Sequence, residues 1–191
     1  LLAMVEAATE RGYADVTIAD VVRHARVSKR TFYEHFPDKE SCFLAAYLAV
    51  ASELLGRIAT AAAQEEQVEE RIIAAARAYF AALEANPKLT RTFLSDIHAA
   101  GPKAIELRRK IHQQFADTLR MLAESERARL GNLRPLSREL ATAIVGGINE
   151  LIMLAIEEGR GERLTEVADA AIELAFAVLR SLSQDEPPPG R

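Results

Sequence analysis

Apolar residues recur along this chain at three- and four-residue intervals almost from end to end, the spacing of buried helix faces and not of strands. Leu1, Leu2, Val5 and Ala8 open the series, and Gly12 stops it, so a first helix over residues 1–11 is expected. Thr17 followed by Asp20 is a Thr-x-x-acid start signal flanked by the apolar pair Val16 and Val21. Ile18, Val21, Val22 and Ala25 then supply the i, i+3, i+4, i+7 stripe of a two-turn helix. Ser28 is the next cap, with Val27 and Phe32 as its staple, and Pro37 ends a third short helix because the residue before proline avoids the helical region. Only a tight turn fits between Ala25 and Ser28. Two short helices joined that way, the second bearing basic residues, make a helix-turn-helix pattern.

Beyond Asp38 the helices lengthen. One runs without a breaker to about Ala63 on the stripe Phe43, Tyr47, Val50, Leu54 and Ile58, and another spans Val68 to Ala85 before Asn86-Pro87. A shorter helix is expected from Lys88 to about Ala99, ahead of Gly101-Pro102, and a long one from Lys103 to about Leu130. Residues 140–156 are apolar nearly all round, with Asn149-Glu150 as the chief polar interruption. That stretch is shorter than the about 20 apolar residues a membrane span wants. A soluble helix apolar on every side must be buried on every side. A last helix, Thr165 to about Leu182, would pair with it as an antiparallel hairpin. The two carry more apolar surface than one small subunit needs, so a second copy is expected to cover it in a four-helix interface. The residues expected there are Ile144, Leu151, Ala155, Ala171, Leu174, Ala175, Val178 and Leu179.

Composition agrees with an all-α protein: 49% hydrophobic residues, no Trp, and helix formers in excess of β-branched and aromatic types. The single Cys42 supports neither a disulfide nor a thiolate metal cage, which points to a reducing, cytoplasmic setting. No leader is visible at the start, and the chain opens without Met, leaving room for an upstream segment such as a basic arm. The net charge of −4 argues against a general nucleic-acid binder. Its distribution changes the picture, because Arg23, Arg26, Lys29, Arg30 and Lys39 face only Glu34 and Asp38 within residues 21–39. Such a local patch suits a selective binder.

Catalytic and metal chemistry find little support. His98 and His112, with Asp96 nearby, lack the spacing of a metal site, and no His-Glu-x-x-His helix, phosphate loop or Gly-x-Ser-x-Gly turn occurs. Neither a metal nor a cofactor is expected, and the chain is not expected to be an enzyme.

The run Thr17-Ile18-Ala19-Asp20-Val21-Val22, continued by Ala25-Arg26-Val27-Ser28-Lys29-Arg30-Thr31-Phe32-Tyr33-Glu34-His35-Phe36-Pro37-Asp38-Lys39-Glu40, closely resembles the TetR-like family of transcriptional regulators. The likeness covers roughly the first 50 residues. It implies a DNA-binding domain over 1–46, a ligand-binding and dimerisation domain over 47–184, and a disordered tail over 185–191. Arg26 and Arg30 depart from the family, which commonly has Gly at both places. The resemblance puts Ser28 to His35 on the recognition helix in the major groove. Lys29 and Arg30 would meet base edges, while Thr31, Tyr33, His35, Lys39 and Thr17 would meet phosphates; Ser28 would cap that helix and belong to the same DNA-binding set. A pocket among the fifth to eighth helices would be built from Tyr79, Phe80, Leu83, Phe93, Leu94, Ile97, Phe115, Leu119, Ile148 and Ile152. His98, Gln114 or Asn149 would be its polar anchors, and its effector an apolar molecule, aromatic or lipid-like. Together these imply a homodimer that binds a near-palindromic double-stranded operator, most often as a repressor, and leaves it when the effector binds. The alternative is a helical small-molecule sensor without DNA binding.

Overall fold

The computed structural model describes residues 1–94, 96–130 and 133–182. The expected tail over 185–191 lies outside the described residues. Among these residues the architecture is all-α: α1 (Leu2–Arg11), α2 (Ile18–Ala25), α3 (Lys29–His35), α4 (Lys39–Ala63), α5 (Val68–Glu84), α6 (Pro87–Leu94), α7 (Pro102–Leu130), α8 (Arg138–Glu157) and α9 (Ala168–Leu182). Short 3-10 turns over Asp96–Ala100 and Leu164–Val167 precede α7 and α9.

Local chemistry starts α2, α3 and α4. Thr17 accepts the Asp20 N–H through its hydroxyl, and the Asp20 carboxylate accepts the Thr17 N–H at 3.0 Å, a complete capping box. Ser28 accepts the Thr31 N–H at 3.1 Å and Asp38 the Ser41 N–H at 2.7 Å. Such caps are each worth about 1 kcal/mol. The turn out of α2 places Arg26 in the left-handed region at φ 55°, where the Val27 N–H returns to the Val22 carbonyl at 3.1 Å. That backbone favours glycine, so the departure from the family residue carries a modest strain.

Three apolar clusters hold the rest. The first packs Met4, Ala7 and Ala8 of α1 with Val21, Phe32, Phe43 and Tyr47. It also takes in Phe93, Ile97 and Ala104 from later helices, so the boundary expected at Ala46 falls inside α4 and within a shared core. The second joins Phe80 and Leu83 of α5 to Ile152, Ala155, Leu164 and Ala171. The third joins Ala116 and Ala123 of α7 to Leu136, Ala141, Ile144 and Leu182.

Two expectations change. The helix expected from Lys88 to Ala99 stops at Leu94, and the tighter turn that follows rotates Ile97 and Ala100 into the first core. The helix expected to be buried all round is longer, Arg138–Glu157, and buried on one face only. Ala141, Ile144, Val145, Ile152 and Ala155 point inward, whereas Thr142, Ala143, Gly146, Glu150 and Leu154 are exposed. By length and composition alone α4 and α8 could each cross a membrane, but here each gives one face to the cores.

Candidate nucleic-acid interface and internal cavity

The helix-turn-helix presents one open surface. Lys29, Arg30, Tyr33, Glu34 and His35 are exposed along α3, with Tyr33 at 55% exposure, while Phe32 turns inward against Phe36 at 5.7 Å between ring centroids. This follows from a seven-residue helix that anchors through its aromatic face and leaves its polar face bare. Arg30 pairs with Glu34 at 3.3 Å, an exposed contact of little worth that a phosphate or base edge can replace. Val27, expected to staple α3, is instead 43% exposed beside Lys29 and offers an apolar surface of the kind that meets a thymine methyl.

Four of the expected contact residues, Thr17, Ser28, Thr31 and Lys39, have structural duties. Thr17 donates its hydroxyl to Asp20 at 2.7 Å while capping α2, and the Ser28 and Thr31 hydroxyls lie 3.0 Å apart as a cap pair. Asp20 is held well below the usual carboxylate range, at about 2, first by the hydrogen bonds from Thr17 and then by Arg11 and Arg23. Those two guanidiniums sit 3.1 and 2.9 Å from its oxygens. Lys39 is the clearest change. Its ammonium donates to the carbonyls of Tyr13 at 2.9 Å, Val16 at 2.9 Å and Ala14 at 3.4 Å, and lies 4.3 Å from the Tyr13 ring centroid. It therefore ties α4 to the α1–α2 loop, and burial pushes its pKa down. Sequence could not reveal this, because the three acceptors are backbone atoms more than twenty residues away.

Behind this domain lies a cavity of about 510 Å³ between α4, α5, α6, α7, α8 and α9. Of the residues expected to line it, Tyr79, Phe80, Leu83, Phe93, Leu94, Phe115, Leu119, Ile148 and Asn149 do so. Ile97 is instead fully buried in the first core and Ile152 in the second, while His98 is exposed on the 3-10 turn. Gln114 is also exposed. Residues not expected there complete the wall: Tyr47, Val50, Leu54 and Ile58 of α4, and Ile111 and His112 of α7. The α4 stripe was legible as apolar, yet a stripe facing a core and one facing a cavity have the same period.

The residues expected to meet a second copy also move. Ile144, Ala155 and Ala171 are buried within the chain, and Leu151 packs against the second core. Ile144, Ala171, Ala175, Val178 and Leu179 line the cavity, and Leu174 packs half-buried against the third core. What α8 and α9 leave exposed is a smaller-residue surface of Ala143, Gly146 and Leu154 with Ala170 and Ala177.

The polar groups in the cavity wall fall into two sets. Asn149 donates to the Val145 carbonyl at 2.8 Å, Thr90 to Leu83 at 2.7 Å and Thr118 to Gln114 at 2.9 Å, so these are satisfied along their own helices or by the preceding one. Tyr47, Tyr79 and His112 are the second set. Burial raises the Tyr47 phenol to about 12 and the Tyr79 phenol higher still. It lowers the His112 imidazole to about 4, with the Arg108 charge adding to the effect. At neutral pH all three are uncharged. Among the described residues no group of three or more His, Cys, Asp or Glu side chains is arranged to hold a metal ion, and Cys42 is buried in the first core with its thiol pKa raised by burial.

A capped helix-turn-helix with an exposed basic and aromatic face, carried on a larger helical body, defines a DNA-binding protein of the helix-turn-helix class. Residues 1–46 match the family described as bacterial regulatory proteins, tetR family. The first 46 residues are thus similar to the DNA-binding region of that family, and the whole chain has the fold of solved TetR-family regulators. Solved structures share that fold over nearly the whole chain. The fatty acid degradation regulator FadR from Bacillus halodurans aligns at TM-score 0.80 with 18% identity, covering 93% of each chain. FadR from Bacillus subtilis, solved with stearoyl-CoA, aligns at 0.78 with 16% identity and 96% of each chain. A TetR-family regulator from Pectobacterium atrosepticum aligns at 0.71 with 24% identity, covering 97% of this chain and 92% of its own. No curated protein matches the sequence.

Proposed function

We propose that this protein is a dimeric repressor, acting in the cytoplasm, that leaves its operator when a small apolar effector fills the cavity. The observation that carries this reading is a shared wall. Phe93 and Tyr47 line the cavity, and Phe93 stacks on Phe43 of the DNA-binding core at 5.5 Å and packs, tilted, against Tyr47 at 5.2 Å. Leu2 and Val5 of α1 also reach the cavity. An effector that displaces Phe93 pushes directly on α4 and α1, which hold the recognition helix. In a dimer the two recognition helices must sit about 34 Å apart to enter successive major grooves. A small tilt of α4 alters that spacing, and a ligand favouring the tilted state lowers DNA affinity in proportion to its preference.

Lys29 and Arg30 are assigned to base edges, with Tyr33, His35 and Thr31 on the backbone. Thr17 and Ser28 hold the helices that carry them. The effector is a molecule with a long apolar part, given the wall of Leu54, Ile58, Leu83, Phe115 and Leu119. That the B. subtilis relative in fold was solved with stearoyl-CoA supports an acyl chain as the class. The dimer is assigned to α8 and α9, through the exposed Ala143, Gly146 and Leu154 rather than the residues buried behind them. No cofactor and no membrane enter the scheme.

The test is fluorescence anisotropy with DNA flanking the coding region. Expected is tight binding by wild type with a steep loss of affinity as salt rises, and at least tenfold weaker binding by Tyr33→Ala with unchanged thermal stability. Absent or salt-independent binding would favour the alternative, a sensor without DNA binding.

A further inference from the structure

Arg108 sits on α7 one turn before His112, and its Nε is buried without a hydrogen-bond partner. No carboxylate among the described residues forms an ion pair with it, although most of the other arginines on α7 have one. A guanidinium nitrogen withdrawn from water without an acceptor is costly, and folds retain one where something completes it. Around it stand Tyr47 and His112, both on the cavity wall and both within reach of its charge. Neither side chain, nor that of Tyr79, makes a hydrogen bond to another described residue, in contrast to Asn149, Thr90 and Thr118. An otherwise apolar cavity wall thus carries three neutral polar side chains without a hydrogen bond to another described residue, and the charge of Arg108, one turn from His112 on α7, acts on two of them. Among the described residues the one acid on the cavity wall, Glu53, is exposed and paired with Arg57 at 2.6 Å.

We infer that this part of the cavity wall receives the carboxylate of an effector that is a free organic acid, its apolar tail lying along α5 and α9. The Tyr47 hydroxyl and the His112 N–H donate to the carboxylate oxygens, and Arg108 supplies the balancing charge. Guanidinium and carboxylate match in geometry as well as in sign, and hydrogen bonds to a charged acceptor are the strong ones. A neutral His112 suits this role, since it donates one proton without adding a second buried cation. The carboxylate would lie beside Tyr47, whose ring packs on Phe93, so ligand charge is read at the junction with the DNA-binding core. This inference rests on the cavity being the effector site.

The test is calorimetric titration of the full chain, stripped of bound lipid, near neutral pH. The probes are saturated acids from octanoate to stearate, the primary alcohols of the same lengths, and stearoyl-CoA. Expected is at least tenfold tighter binding of an acid than of its matching alcohol, with the gap collapsing in Arg108→Gln and in Tyr47→Phe because acid affinity falls several-fold more than alcohol affinity. Tyr47→Phe keeps the test decisive if Arg108→Gln fails to fold, because it removes only an oxygen. Equal binding of acid and alcohol, a gap that survives both variants, or stearoyl-CoA binding as tightly as stearate each overturns the carboxylate assignment and leaves the apolar cavity as effector site. Binding of none of the probes overturns both.

Discussion

Replacing Lys39 by methionine separates the phosphate contact expected from the sequence from the tether to the α1–α2 loop seen in the structure. The stem stays and packs; the ammonium and its donors go. Two hydrogen bonds of 2.9 Å to the Tyr13 and Val16 carbonyls are lost, with a longer one to Ala14 and the contact with the Tyr13 ring. Hydrogen bonds from a charged donor are worth about 1.5–3 kcal/mol each. The site is part-exposed, so water recovers some of that for the abandoned carbonyls, and the lower end applies to the two short bonds. The expected loss is about 2–3 kcal/mol. For a chain of this length each kcal/mol moves Tm by roughly 2–4 °C, so Lys39→Met should melt about 5–10 °C lower. Differential scanning calorimetry measures this, and operator binding is compared well below both transitions. A phosphate contact would instead leave Tm in place and reduce the salt slope of DNA binding by about 1 per contact. An unchanged Tm together with a reduced slope would refute the structural assignment of Lys39.

Two further outcomes follow from the same domain. Arg26→Gly should raise stability by about 0.5 kcal/mol in urea titration, since glycine accepts φ 55° without the side-chain clash, less the entropy it adds to the unfolded chain; a loss of stability would mean that the Arg26 side chain is worth more than the strain. Asp20→Asn should be less stable than wild type at pH 7, with the gap closing as acid is added. The Asp20 carboxyl is near 2 when folded and about 3.9 when unfolded, so its contribution is present above pH about 4 and is lost as pH falls toward 2. A gap still undiminished at pH about 2 would show that shape, not charge, makes the difference.

The N-terminal domain was legible because its determinants are local. Thr17 and Asp20 lie three residues apart, Ser28 and Thr31 likewise, and each cap is satisfied within the turn it starts. Helix ends at Gly12, Ala25 and His35 follow from glycine, a tight turn and proline, all acting within one or two residues. The helical character of the body was legible for the same reason, since a 3.6-residue period needs no tertiary partner to be seen. The lining residues Phe80, Phe93 and Phe115 were found because large aromatic residues on consecutive helices tend to converge.

What sequence could not decide is direction and partner. Ile97 and Ile152 are as apolar as Leu94 and Ile148, yet they fill cores while the others face the cavity. Periodicity places a residue on a face, but only helix crossings determine whether that face meets protein or empty space. Ile144 and Ala171, expected outside, lie inside because α8 and α9 roll their larger residues toward α5 and α7, leaving alanine and glycine outward. Lys39 reads as a phosphate ligand from its neighbours and becomes a tether only through carbonyls brought to it by folding. The unpartnered Arg108 is likewise invisible until burial removes its water. Sequence alone settled the helices and their caps, which depend on contacts within a few residues. The cavity, its polar groups and the face of α8 and α9 left exposed were decided by tertiary packing, because each depends on which of several equivalent apolar stripes meet across the bundle.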